Sequence, residues 1–352
     1  MATEPPPSYS PQLDGLRAVA VTAVVYSHWL PAWQFGVPLG AGVHLFFVLS
    51  GFLITRILLR LRDAPDRTGA VGRFYLRRVL RLFPAFYVVL AAAWVADVPL
   101  ASTTWPWHAA YLSNAYIAWQ GAWQGHFSHF WSLAVEEQFY LAWPWLVVWA
   151  PANWLLTVVV ATMLLGPLTH ALAHGRGLTE PFWALVPGGS ADSLGVGALV
   201  AWTAWTPAAR RASERIWPWA GVIGLLAWLA LALVEWRGAL LPPAVAIWRQ
   251  ALQGLIFAAV VWRAVDGWPG AVGAVLGHRA VVLVGRISYG IYLVHPFAPI
   301  VLDAGLTGMG LPASPALGAP GRALAAWLVT LALAAALWHL VEAPWHRLKA
   351  HF

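Results

Sequence analysis

Residues 13–31 read Leu-Asp-Gly-Leu-Arg-Ala-Val-Ala-Val-Thr-Ala-Val-Val-Tyr-Ser-His-Trp-Leu-Pro, an apolar run interrupted by Asp14, Arg17 and His28. A helix of about 20 such residues crosses the hydrocarbon core of a bilayer. Working outward, comparable runs recur at roughly 39–59, 76–96, 130–149, 153–173, 183–202, 217–236, 244–264, 281–302 and 322–341. The composition agrees: 60% of the 352 residues are hydrophobic and 10% charged, against roughly 25% charged in a soluble domain. No block of soluble-domain size remains between the runs. The expected fold is all-α, a polytopic integral membrane bundle of about ten transmembrane helices in one domain over 1–352. A disordered polar start (1–12) and a short tail (342–352) flank it. The start lacks the basic residues of a cleavable signal, so the first span is expected to stay attached.

Charge placement orients the bundle. With the N-terminus inside, sixteen of the 21 Lys and Arg fall on cytoplasmic loops, eight of them between Arg56 and Arg81. The positive-inside rule then expects both termini in the cytoplasm. This arrangement accounts for the +7 net charge without nucleic acid. The longest outer loop, residues 97–129, has no Lys or Arg and carries Trp105, Trp107, Trp119 and Trp123, rings suited to a membrane interface. With no cysteine, thiolate metal sites and acyl-cysteine chemistry are excluded. The single lysine, Lys349, excludes a P-loop.

Ionisable side chains inside spans are costly and therefore candidates for function. Arg17 and His28 lie within about 20° of one helix face and roughly 16 Å apart along the axis. The structural alternative is a snorkelling Arg and an interfacial His. Glu136 and Glu137, adjacent in Trp131-Ser132-Leu133-Ala134-Val135-Glu136-Glu137-Gln138-Phe139-Tyr140, lie about 100° apart, so one is expected to face the polar interior. One Glu alternatively neutralises an Arg such as Arg17. Arg77, Arg78 and Arg81 share one side of a helix at neighbour spacing, and guanidinium forks suit phosphate; the alternative is a topology signal or contact with anionic lipid. Gly285-Arg286-Ile287-Ser288-Tyr289-Gly290-Ile291-Tyr292-Leu293-Val294-His295-Pro296 adds hydroxyl and imidazole groups at depth. His339 and Glu342 end the last span. His44 and Asp192 are isolated, and packing or a local hydrogen bond is expected to account for them.

Leu13-Asp14-Gly15-Leu16-Arg17 through His28, Gly42-Val43-His44-Leu45-Phe46-Phe47-Val48-Leu49-Ser50-Gly51-Phe52, Arg78-x-x-Arg81, Trp131-Ser132-Leu133 through Glu136 to Tyr140, and Ser288-Tyr289-Gly290 to His295 occur in the order seen in acyltransferase family 3. The chain resembles these ten-span membrane O-acyltransferases over nearly its whole length. The resemblance implies transfer of an acyl group, acetyl by default, from cytoplasmic acyl-CoA to a hydroxyl of a sugar, glycolipid or secondary metabolite such as a macrolide sugar. It implies no metal, and a place in a bacterial inner membrane among membrane lipids. It assigns His28, Glu136 and Arg17 to catalysis and Arg78 and Arg81 to the donor, where helical spacing adds Arg77, with Asp14, Trp131, Ser288, Tyr289 and His295 as further polar site residues. His44 stands where the family often has Asp. The resemblance is to members expected to lack the SGNH-type domain that others append.

The chemistry suits the residue types. A basic cleft holds the phosphates of coenzyme A, while imidazole removes a proton from a hydroxyl or accepts the acyl group itself. Two other classes use similar features: a glycan or lipid carrier, which breaks no thioester, and an assembly protein, which binds no ligand at the arginines.

Overall fold

The computed structural model of the chain describes residues 10–34, 37–176, 187–238, 245 and 247–348. The polar start through Tyr9, the opening of the sixth and eighth expected spans and the tail from Lys349 lie outside the described residues. Every regular element among them is helical, as expected. In order these are α1 (Pro11–Trp29), α2 (Gly42–Leu61), α3 (Arg67–Val95), α4 (Ala101–Ala109), α5 (Ser113–Gln120), α6 (Phe130–Trp149), α7 (Leu155–Gly175) and α8 (Ala191–Trp205). There follow α9 (Pro207–Trp236), α10 (Arg249–Asp266), α11 (Gly270–Leu276), α12 (Arg279–Arg286), α13 (Ser288–Val294), α14 (Ala298–Gly308), α15 (Gly318–Leu337) and α16 (Ala343–Leu348).

Helices occupy all ten expected runs, but length and composition qualify fewer as spans. Among the described residues five helices, including α3, α7 and α9, are long and apolar enough to cross a membrane, and two bent pairs raise the number to seven if each is one span. Over the remaining runs, α1 carries Asp14, Arg17 and His28, α6 carries Glu136 and Glu137, and the described part of α8 is 15 residues long. The ninth run is not one straight helix. It divides into α12, α13 and α14, with a bend of 66° between α13 and α14. Pro296 lies in that bend and cannot supply the backbone N–H that would continue the helix.

Ser10, Pro11 and Gln12, expected in the disordered start, are part of the folded structure. The Ser10 hydroxyl donates to the Ala264 carbonyl at 2.8 Å, and the Gln12 amide oxygen accepts from Trp268 N–H at 2.6 Å. The start of α1 is thereby fixed to the hinge between α10 and α11. At the other end, a π-helical turn (Trp338–Glu342) leads into α16, which forms the described part of the expected tail.

The central helix is α2, which packs along α8, α6, α1 and α10. Glycines set the closest approach: a methyl group at Gly51 would overlap the Leu194 carbonyl, and one at Gly197 the Val48 carbonyl. The backbones of α2 and α8 therefore touch, as small residues allow between membrane helices. Beyond α2, Arg62 donates to the carbonyls of Val147 and Ala150, satisfying the orphan acceptors at the C-terminus of α6. Arg62 thus clamps α6 beside α2 and sets the depth of Glu136.

In the segment between α3 and α6, expected to lie outside, Trp119 is 72% exposed, whereas His108 is fully buried against Phe127. Thr104 gives its hydroxyl proton to the Leu100 carbonyl, so it accepts from His108 Nε2, and the Ser113 hydroxyl donates to Nδ1. Burial holds the His108 imidazole down to about 4.

Candidate functional site

Two polar cavities lie toward opposite ends of α1. The first, of about 180 Å³, collects Arg17 from α1, Ser50 from α2, Arg78 and Arg81 from α3, Glu136 and Tyr140 from α6, and Ser288 and Tyr289 from α13. Glu136 accepts hydrogen bonds from the Ser50 and Tyr140 hydroxyls. The Arg78 guanidinium lies over the Tyr140 ring, 4.2 Å from its centre, a cation–π contact that holds the fork in place. Arg17 lies 3.8 Å from Asp14, which also approaches Arg286 at 3.7 Å. Asp14, rather than Glu136, is therefore the carboxylate in salt-bridge contact with Arg17. The lining carries three guanidiniums beside one carboxylate, and two buried atoms, Arg78 Nε and Ser288 Oγ, have no hydrogen-bond partner among the described residues. Buried polar atoms are rarely left so, and both would suit the oxygens of an anionic ligand.

The second cavity, of about 470 Å³, is a vestibule lined by His28, Trp29, His126, His129 and Arg322 among others. Its construction follows from the break at Pro296. In a continuous helix the Tyr292 carbonyl would accept from residue 296, but proline has no N–H. Phe297 N–H turns to the Val294 carbonyl, which leaves the Leu293 carbonyl without its helical donor. Imidazoles answer these carbonyls: His295 Nδ1 lies 2.8 Å from Tyr292 O, His129 Nε2 3.3 Å from Leu293 O, and His126 Nδ1 2.9 Å from Pro296 O. His28 reaches the same cluster, its Nδ1 2.8 Å from His295 Nε2. Arg322 is held by Asp303 at 3.5 Å and by Ser314 Oγ at 2.9 Å.

A thin partition separates the cavities. Ser132 and Tyr292 line the arginine cavity, and their hydroxyls are 2.6 Å apart. Both also reach the carbonyl of His129, at 3.1 Å each, and His129 lines the vestibule.

Of the sequence-predicted residues, Arg17, Arg78, Arg81, Glu136, Ser288 and Tyr289 meet in one cavity, while His28 and His295 pair at the other. Arg77 does not join them. It sits on the exposed flank of α3, because the inward stripe runs through Phe74, Arg78, Arg81 and Ala85. Trp131 packs edge-on against Phe47, ring centres 5.9 Å apart, and lines neither cavity. His44 has a hydrogen bond that is not local, 3.3 Å to Ser193 Oγ on α8, whereas Asp192 accepts from the adjacent Ser193 N–H and from the Gln250 amide at 2.6 Å each. Sequence reasoning passed over Ser50, Tyr292, His126 and His129 as site residues. The signal for Tyr292 was its place four residues before Pro296; Ser50 and His129 gave none beyond being polar near a span.

Comparison with known proteins gives a consistent picture. The sequence profile of an acyltransferase domain, acyltransferase 3, matches residues 10–339. Peptidoglycan O-acetyltransferase OatA of Listeria monocytogenes is 36% identical over 158 residues, covering 39% of this chain and 24% of the relative. A putative O-acetyltransferase of Staphylococcus aureus strain MSSA476 is 41% identical over 155 residues (40% and 25%), and putative peptidoglycan O-acetyltransferase YrhL of Bacillus subtilis is 38% identical over 156 (40% and 24%). The chain spans about a quarter of the length of these relatives. No solved structure matches. Because the profile match runs through every helix that lines either cavity, the chain belongs to the acyltransferase-3 family of acyltransferase domains.

Proposed function

We propose that the protein transfers a short acyl group, acetyl by preference, from acyl-CoA to a hydroxyl of a glycan-type acceptor. The donor enters the arginine cavity from the cytoplasm, and the acceptor occupies the vestibule at His28 on the outer side. The observation that carries this reading is the pairing of a guanidinium-lined cavity holding unsatisfied Arg78 Nε and Ser288 Oγ with an imidazole vestibule across one thin partition. Coenzyme A supplies phosphates for Arg78 and Arg81 and a long flexible arm that carries the thioester toward the partition. The Ser50 and Tyr140 hydroxyls keep Glu136 fixed, so its charge offsets the arginines without collapsing onto them.

At the partition, His28 takes the proton of the acceptor hydroxyl as that oxygen attacks the thioester carbonyl. The new C–O bond forms, the C–S bond breaks, and the departing thiolate is protonated. An acyl-imidazole formed first on His28 would divide this into two displacements. The names of the relatives, peptidoglycan O-acetyltransferases among them, support a cell-envelope glycan as acceptor.

Purified protein incubated with a panel of acyl-CoAs, with and without muramyl oligosaccharides, should release CoA in proportion to ester formed. Glycan movement with no thioester cleavage would replace this reading by the carrier. Reporter fusions at Ala208 and Trp119 should report cytoplasm and exterior; a swapped result would reverse the two cavities.

A further inference from the structure

We propose that His295 is a positioning residue for His28: it accepts the Nδ1–H of His28 and so presents the His28 Nε2 lone pair to the vestibule. The inference rests on His28 being the reacting imidazole, and it names the atom that reacts.

Pro296 has no N–H to give. The Tyr292 carbonyl has no helical donor, and a carbonyl can only accept. His295 Nδ1, 2.8 Å away, therefore carries the proton. His295 is fully buried, and its ring neighbours are His28, Trp29, His129 and Tyr292, none of them an anion that would hold a second proton there. A neutral imidazole with its proton on Nδ1 has a lone pair on Nε2. That lone pair faces His28 Nδ1 at 2.8 Å, so His28 must donate from Nδ1. The remaining lone pair of His28 is on Nε2, which makes no hydrogen bond among the described residues, and His28 lines the vestibule.

Ring geometry supports the same reading independently. The two imidazole planes are 18° apart with centres separated by 5.1 Å. That is the separation of rings joined edge to edge through in-line nitrogens, whereas stacked faces would bring the centres closer. An imidazole free in water prefers its proton on Nε2, which would put the lone pair on the wrong side of His28. Selecting the other tautomer is thus a task for the partner, and here the partner is a neutral histidine in place of a carboxylate.

Packing and positioning make different demands at residue 295. Phenylalanine fills the space without accepting a proton, while glutamine places its amide oxygen near the position of Nε2. With the full chain in nanodiscs, His295→Phe should lower kcat by about 10²- to 10⁴-fold with the KM for acetyl-CoA unchanged, and His295→Gln should recover most of that loss. In ¹⁵N-histidine spectra of the wild type, the His28 resonances, assigned by their loss in His28→Ala, should report a neutral Nδ1–H ring. An Nε2–H ring in the wild type, or equal kcat losses in folded Phe and Gln variants, would overturn the proposal. The spectrum decides the tautomer even if no acyl-CoA is turned over, so a failure of the acyl-transfer reading is told apart from a failure of this one. If the Phe variant does not fold, the wild-type spectrum and the Gln variant still decide.

Discussion

Replacing Arg78 by alanine separates donor binding from every other role the arginine cluster has been given. The side chain points into the cavity, its Nε unpartnered and its guanidinium 4.2 Å over the Tyr140 ring. If the fork holds a phosphate, truncation removes one charge-assisted contact. Such bonds contribute about 1.5 to 3 kcal/mol, which at 1.4 kcal/mol per decade corresponds to a rise of about 10- to 150-fold in the dissociation constant for CoA. The lost cation–π contact lies within the protein, so it lowers thermal stability by about 0.5 to 2 kcal/mol instead of adding to the affinity loss. Lysine should restore part of the affinity, because it offers the charge without the fork. Arg77 is the internal control: it is exposed on the flank of the same helix turn, and Arg77→Ala should change CoA affinity less than two-fold by rough allowance for screened charge. Calorimetric titration of CoA into detergent-solubilised wild type, Arg78→Ala, Arg78→Lys and Arg77→Ala measures all four. Equal affinity in wild type and a correctly inserted Arg78→Ala, or an equal loss in Arg77→Ala, would refute the assignment and leave the cluster as a topology signal.

His28→Ala should lower turnover by about 10² or more while CoA affinity stays at the wild-type value; a variant transferring acetyl at near the normal rate would make His28 structural. At the α2–α8 crossing, Gly51→Val forces side-chain atoms onto the Leu194 carbonyl and should cost at least about 1 to 3 kcal/mol, read as a lower melting temperature in detergent, with Gly72→Val, where nothing lies within 4 Å, as the tolerant comparison. His108 gives a pH dependence of known sign. Its folded imidazole sits at about 4 and an unfolded one near 6.5, so the outer segment is at full stability above about 6.5 and loses up to roughly 3 kcal/mol as pH falls toward 4. Hydrogen exchange over residues 101–127 should therefore accelerate between pH 7 and pH 5 in wild type, and the acceleration should shrink in His108→Asn.

The architecture was legible in the sequence where the physics is one-dimensional. Each apolar run read from the sequence carries a helix among the described residues, although five to seven qualify as spans and α4 and α5 lie in a stretch read as loop; helical spacing placed Arg78 and Arg81 together. It failed where a three-dimensional neighbour decides. Arg77 shares a helix side with Arg81 on a helical wheel, yet only packing against α6 and α13 determines which part of that side is the cavity wall. The ninth run shows how one residue outweighs a pattern, since its hydropathy is continuous while Pro296 withdraws one N–H and divides the helix. The vestibule histidines were invisible as a group because His28, the pair His126 and His129, and His295 come from three separate stretches; carbonyls freed by that division gather His126, His129 and His295, and His295 in turn holds His28. Glu136 was picked out from Glu137 by resemblance, and the reason lies in hydroxyls from two directions, one of them 86 residues away in α2.

The partition made by Ser132 and Tyr292 has an electrical meaning as well as a chemical one. A membrane that stores energy as a proton gradient can tolerate cavities opening from both faces only while no continuous chain of water joins them. Here the insulation between the two cavities includes one phenol ring whose hydroxyl is tied to a serine and a backbone carbonyl. If the acyl group crosses here as proposed, the ring has to yield to an acyl chain without yielding to protons. Reconstituted vesicles should stay proton-tight with Tyr292→Phe and become leaky with Tyr292→Ala, and tight vesicles in both cases would place the barrier elsewhere.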